Sequence, residues 1–234
     1  TPLSKNTELQ FSVRRAYTDV LKTITYNNFF DRIFQDSDLN PNNVQNTSKN
    51  EKFFFYDIST TIYHEFSKKH QIQINFINVN NNLIYNNTQN TNSFLVPNNL
   101  SQNTFAISTD YHFEQNNLEL DAQLFFSKYS QFSTINNLIN DNTNQILNQE
   151  NLIQENGLKL HGKYQVSDQL NLSFGYQLNE AGITNAEDVV SPSFQRSIKE
   201  VVLTHSLFYE LTYQSYANKF NGKIGFRNNY FEKF

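Results

Sequence analysis

Strict alternation of apolar and polar side chains, renewed in one stretch after another, limits what this chain can fold into more than any other property. Between Phe53 and Phe66, one parity reads Phe54, Tyr56, Ile58, Thr60, Ile62, His64 and Phe66, and the other reads Asp57, Ser59, Thr61, Tyr63 and Glu65. Successive side chains on a strand point to opposite faces, so a period of two describes a strand that is apolar on one face and polar on the other. A turn at Lys68-Lys69-His70 leads to a return arm with Ile72, Ile74 and Phe76 on the apolar parity. Opposed residues of an antiparallel pair share a face. A three-residue loop therefore sets Phe66 against Ile72, His64 against Ile74 and Ile62 against Phe76. Ile77 and Val79 break the alternation, which predicts a bulge beyond Phe76.

Seven further stretches follow the same rule, giving an expectation of about nine strands. The first runs over about 8–17 and carries Leu9, Phe11, Val13 and Tyr17, with Arg15 interrupting its apolar face. The others are built on Phe105–Phe113, Leu118–Phe126, Leu158–Val166, Leu170–Leu178, Val201–Tyr213 and Phe220–Tyr230. The turn Glu114–Asn117 places Phe113 opposite Leu118 and Tyr111 opposite Leu120. Short turns are expected near 68–70, 115–116, 167–169 and 215–218, and long connections near 18–51, 80–103, 130–154 and 179–197. A meander with short turns at one end and long loops at the other is the pattern of an outer-membrane β-barrel. A soluble sandwich has no reason to sort its loops by length. Phe66, Tyr111, Phe113, Tyr164, Tyr213 and Phe220 cluster near the short turns, where an aromatic girdle belongs. Phe54, Tyr56, Phe126, Tyr176 and Tyr230 are candidates for the opposite girdle.

Composition agrees with this reading. No run approaches 18 apolar residues, and mean hydropathy is −0.62, so no transmembrane helix is expected. Half of each spanning β-strand is polar, so a barrel remains open. Aromatics make up 15% of the chain, which separates it from Asn-rich disordered sequences. A net charge of −4 gives no pull toward nucleic acid. No cysteine is present, which excludes disulfides and thiolate metal sites. No nucleophile elbow or phosphate loop appears, so neither catalysis nor a cofactor is expected. His64, His70, His112, His161 and His205 show no metal-ligand spacing and read as structural residues. Of these, His205 fits least well, because it falls deep on the apolar face.

The polar face holds the candidate functional residues. Glu200 and Glu210 precede Lys223 and Arg227 on the next strand, and a turn that sets Tyr213 opposite Phe220 brings Glu210 opposite Lys223. One reading is a charged lumen wall that meets a plug or a solute. The other is a hydrated cross-strand ion pair.

The stretches FSVRRAYTD (11–19), KEVVLTHSLFYE (199–210) and GKIGFRNNYFEKF (222–234) resemble the barrel of TonB-dependent outer-membrane receptors, in particular the Asn-rich branch of that family. The resemblance implies that residues 1–234 are one partial barrel domain, an interior fragment with its plug and remaining strands elsewhere. It also implies a location in the outer membrane of a Gram-negative bacterium, in contact with outer-membrane lipid. The inner-membrane TonB complex would act through the missing plug to import a small solute such as a siderophore, vitamin or glycan. Two alternatives stay open: a soluble or cell-surface β-domain that binds glycans or partners through Asn-rich loops, and a small complete outer-membrane pore. The expected fold is thus an all-β antiparallel meander that curves without closing. Ile58, Ile62, Ile74, Ile107, Leu124, Leu160, Phe174, Leu207, Leu211 and Ile224 should point outward. Asp57, Asp110, Asp121, Lys163, Glu210 and Lys223 should point inward.

Overall fold

The computed structural model describes residues 2–16, 24, 52–88, 95–140, 143–216 and 219–234. They form one antiparallel sheet of ten strands in chain order: β1 (Pro2–Ser4), β2 (Thr7–Arg15), β3 (Lys52–Ser67), β4 (His70–Thr88), β5 (Leu95–Gln115), β6 (Leu118–Asn140), β7 (Thr143–Ser167), β8 (Leu170–Val189), β9 (Phe194–Gln214) and β10 (Asn221–Lys233). The strand beyond the nine expected is β1, three residues that fold back on Thr7 and Glu8. Its Pro2 lacks an N–H and sits at the sheet edge, where none is needed. Among the described residues no strand joins β1 to β10 and no second sheet packs on the first, so the sandwich alternative is not this fold.

Three of the four long connections are mostly strand. β4 continues to Thr88 and β5 begins at Leu95, β6 and β7 run to Asn140 and from Thr143, and β8 and β9 are separated by Val190–Ser193 alone. Residues 18–51 lie outside the description, apart from Ile24. Alternation misses these extensions for a physical reason. Stretches such as Asn78–Asn82 and Asn148–Asn151 carry polar or mixed side chains on both faces, so no period of two marks them. Their backbones are nonetheless paired residue by residue. A tilted strand needs about 9–11 residues to cross a bilayer core. β4 to β9 run from 19 to 25 residues, about twice that length.

The registers keep the expected faces but shift by two residues at three hairpins. Ile62 pairs with Ile74 and His64 with Ile72, because the turn is the two residues Lys68-Lys69 with an irregularity between Glu65 and Ser67. The pairing then runs unbroken to Ile84, so no bulge follows Phe76, and Ile77 and Val79 lie on the polar face opposite Ser59 and Asp57. Phe113 pairs with Leu120 and Tyr111 with Ala122 across a turn at Asn116-Asn117. Asn116 takes a φ of 53°, a left-handed conformation that asparagine tolerates and a tight hairpin requires. Tyr213 pairs with Gly222.

The hairpins are staggered. The carbonyls of Asn6, Lys69, Asn117 and Gln169, at the successive turns, accept hydrogen bonds from the N–H groups of Glu65, Glu114, Gln165 and Gln214. Each of these donors lies short of the point where its own chain turns, so every hairpin reaches further down than the one before. Such a progressive shift is the register slope that accompanies strand tilt in a closing barrel wall.

Burial separates the two faces. Ala16, Phe53, Asp57, Leu83, Asn98, Leu100, Ser133 and Ser206 are all buried, and all have polar-face parity. The buried residue of apolar-face parity is Gly162, roofed by the Phe174 ring. Asp57 is 5% exposed whereas Leu124 is 59% exposed and Ile224 is 72% exposed. Side chains crowd together on the concave side of a curved sheet and spread apart on the convex side. The polar face is therefore the concave one. Of the ten apolar residues expected to point outward, Ile62, Ile107, Leu124, Leu160, Leu207, Leu211 and Ile224 are exposed and the others are half-buried.

Candidate functional site

Polar side chains that face the concave side line up in rows, because paired residues on neighbouring strands share a face. One row crosses the sheet, nearer the short turns than the far ends of β4–β7, through Gln71, His112, Asp121, His161, Gly175, Phe208 and Arg227. His112 and His161 sit on either side of Asp121. His112 Nδ1 lies 2.7 Å from Asp121 Oδ1, and His161 Nδ1 lies 3.6 Å from Oδ2. Glu114 Oε2 stands 4.0 Å from the other ring nitrogen of His112. One step nearer the turns, Glu119 accepts from Lys163 Nζ at 3.0 Å. His112, Asp121, His161 and Lys159 line a shallow concavity of about 390 Å³, together with Tyr63 and Asp110.

Phe125 and Phe208 are among the aromatic rings on this polar wall. Lys159 Nζ sits 4.8 Å from the Phe125 ring centre, a cation–π distance, and Phe208 stacks on His161 at 5.9 Å. Glycine makes room for both rings. A Cβ on Gly175 would lie 2.3 Å from Phe208 Cζ, and one on Gly157 would lie 2.7 Å from Phe125 Cζ. The Asp110 carboxylate is held in a connected network, accepting from Asn75 Nδ2 at 3.0 Å and also from Gln123 and Ser108. Closer to the first edge, Arg14 Nε bonds Asp57 Oδ1 at 2.9 Å. The buried Asp57 and the half-buried Asp110 and Asp121 are thus paired or hydrogen-bonded, as burial requires.

The four residues singled out in the sequence all lie on this face, but they do not converge. Glu210 and Lys223 pair at 2.8 Å. They do so diagonally, because Glu210 sits opposite Gly225 and Lys223 opposite Thr212. Glu200 pairs with Lys233 at 3.1 Å, ten residues up the strand from Glu210, or about 33 Å away at strand rise. Arg227 lies between them and donates to Gln177 at 3.0 Å and to Asn229 at 3.1 Å. They make a charged edge and not one pocket.

Sequence reasoning missed the His112–Asp121–His161 row. Their shared parity was visible, but the expected register placed His112 opposite Glu119, two residues from its actual partner. The other three histidines lie on the apolar face, and each bonds a hydroxyl. His64 lies 2.8 Å from Thr7 Oγ1, His70 lies 2.6 Å from Tyr111 Oη, and His205 lies 2.8 Å from Tyr176 Oη. His205, the least comfortable residue of the sequence reading, sits between Tyr176 and Tyr230, two of the aromatics expected in the girdle away from the short turns. Arg15 belongs to that same level, with its guanidinium 4.9 Å from the Phe54 ring centre.

No family model matches the sequence, and no curated protein matches it. Solved structures do. The sheet is similar to the outer membrane transporter YddB from Escherichia coli, with a TM-score of 0.54 and 7% identity over 77% of this chain and 28% of that one. It is also similar to the RagAB peptide transporter, with a TM-score of 0.51 and 10% identity over 77% of this chain and 28% of that one. The chain therefore spans little more than a quarter of the length of either structure. At these identities the likeness establishes the fold alone: an open antiparallel meander like part of an outer-membrane barrel wall.

Proposed function

We propose that residues 1–234 form part of the barrel wall of an outer-membrane receptor that imports a small solute. The barrel's remaining strands and its plug would lie elsewhere in the protein, and energy would come from the inner-membrane TonB complex acting through that plug. The burial pattern carries this reading: among the described residues the buried ones lie on the polar face, apart from Gly162, and the apolar face is exposed or half-buried. A wide barrel has a lumen that its own side chains cannot fill, so polar groups belong inside and apolar ones against lipid. The outer edges, β1 and β10, have no further strand partner among the described residues, which supports a wall continued by further strands over a small complete pore. In the same reading Glu200, Glu210, Lys223 and Arg227 face the lumen and meet plug or solute. The solute itself is unspecified.

Two variants test the wall. Leu207 is on the apolar face, and an arginine there meets lipid at a cost of about 2–4 kcal/mol at mid-depth. Thr204 faces the other way. In the whole protein, Leu207→Arg should reduce the heat-modifiable, assembled form in outer membranes, and Thr204→Arg should leave it unchanged. Equal assembly of both would overturn the assignment of faces. Energy coupling has its own test, since the whole protein should bind the purified periplasmic domain of TonB. Failure there would remove the coupling and keep the wall.

A further inference from the structure

The His112–Asp121–His161 row on the concave face brings together donors that the import reading does not use. We propose that His112, Asp121 and Glu119, with His161 closing from the neighbouring strand, bind a divalent late first-row transition ion of the zinc class. One donor atom from each of His112, Glu119 and Asp121 lies within 4.8 Å of the others, all on the same face of adjoining strands. Tetrahedral zinc with bonds of about 2.0–2.2 Å needs its donors about 3.4 Å apart. Small rotations of side chains on a fixed backbone are enough to reach that. The Nδ1 of His161 already stands 3.6 Å from the second oxygen of Asp121, so the carboxylate lies between two imidazoles.

Chemistry selects the class of ion. Imidazole nitrogens favour zinc, nickel or copper over magnesium and calcium, which take oxygen ligands. Four carboxylates, Asp110, Glu114, Glu119 and Asp121, surround the site against the two ammonium groups of Lys159 and Lys163, so the local charge favours a cation. Glu114 stands at the ring nitrogen of His112 that the ion would leave free, the place where an outer carboxylate orients a metal-binding histidine. Lys163 now occupies one oxygen of Glu119, and that ammonium has to swing aside or leave the second oxygen to the metal. The backbone is rigid here, because all three strands are paired without interruption through these positions. The site stands on the polar face alone, independently of what the barrel transports.

The test uses the whole protein without a histidine tag, purified in detergent, with Zn2+ as the probe in competition with a chromophoric chelator. Wild type should bind one equivalent that excess Mg2+ does not displace. His112→Gln and Asp121→Asn should each weaken binding at least tenfold, and His161→Gln should also weaken it. His205→Gln, on the opposite face, should bind as wild type does. X-ray absorption of the zinc-loaded wild type gives a readout that needs no variant, and it should show scattering from two imidazoles. Absence of stoichiometric Zn2+ binding, a spectrum without imidazole, or undiminished binding by the H112Q/H161Q double variant would each overturn the proposal.

Discussion

At the scale of single residues, the sheet is tuned by glycines that sit under rings. Gly175 is buried, with the Phe208 ring over it and the Leu160 carbonyl 2.6 Å from where a Cβ would stand. Gly182, on the same strand, has no atom closer than 3.8 Å to that position. Adding a methyl group to a filled site costs about 1–3 kcal/mol when neighbours have to shift. Gly175→Ala should therefore lower the unfolding free energy of the assembled protein by that amount, seen as a lower urea midpoint, and Gly182→Ala should leave it within error of wild type. Equal effects would mean that the rings move aside freely. Alternation is silent on these glycines, because their role depends on which ring pairs across from them. The same holds for His112, Asp121 and His161, whose common face follows from parity but whose contact follows from a register that parity leaves free by two. Faces are legible from alternation, and partners are not.

At the scale of the element, β6 and β7 form the longest pair of neighbouring strands among the described residues, 23 and 25 residues that end at Asn140 and begin at Thr143. Alternation showed where the strands have one apolar face and failed where both faces carry polar or mixed side chains, so 130–154 read as a loop. Pairing runs from Leu118 opposite Tyr164 up to Asn140 opposite Thr143, with one irregularity beyond Leu138. The Asn, Gln and Ser side chains there bond across strands, as Ser133 does to Gln149 and Thr134 to Asn148. An epitope inserted between Asn140 and Thr143 should be tolerated and should label intact cells. The same epitope between Gln149 and Glu150 splits a paired strand and should lower the amount of assembled protein severalfold. Immunoblots of outer membranes from the two insertions decide the matter, and equal tolerance would restore the loop.

At the scale of the whole molecule, the polar side is concave, the apolar side is bare, and each hairpin is offset from the last. Under the proposed function these three features have one cause, with lipid on the convex side and water on the concave one. Because this chain contains no cysteine, single cysteines placed along β9 report each face without a background from neighbouring strands. The most direct measurement is therefore a cysteine scan from Leu203 to Thr212 in the whole protein, carried in native outer membranes. Each position is labelled with a water-soluble maleimide and, separately, with a fluorophore quenched by lipid-borne nitroxides. Thr204, Ser206, Phe208, Glu210 and Thr212 should react with the water-soluble reagent, while Leu203, His205, Leu207, Tyr209 and Leu211 should be reached by the lipid quencher. The opposite parity, or no alternation at all, would contradict an outer-membrane barrel wall with its polar face inside.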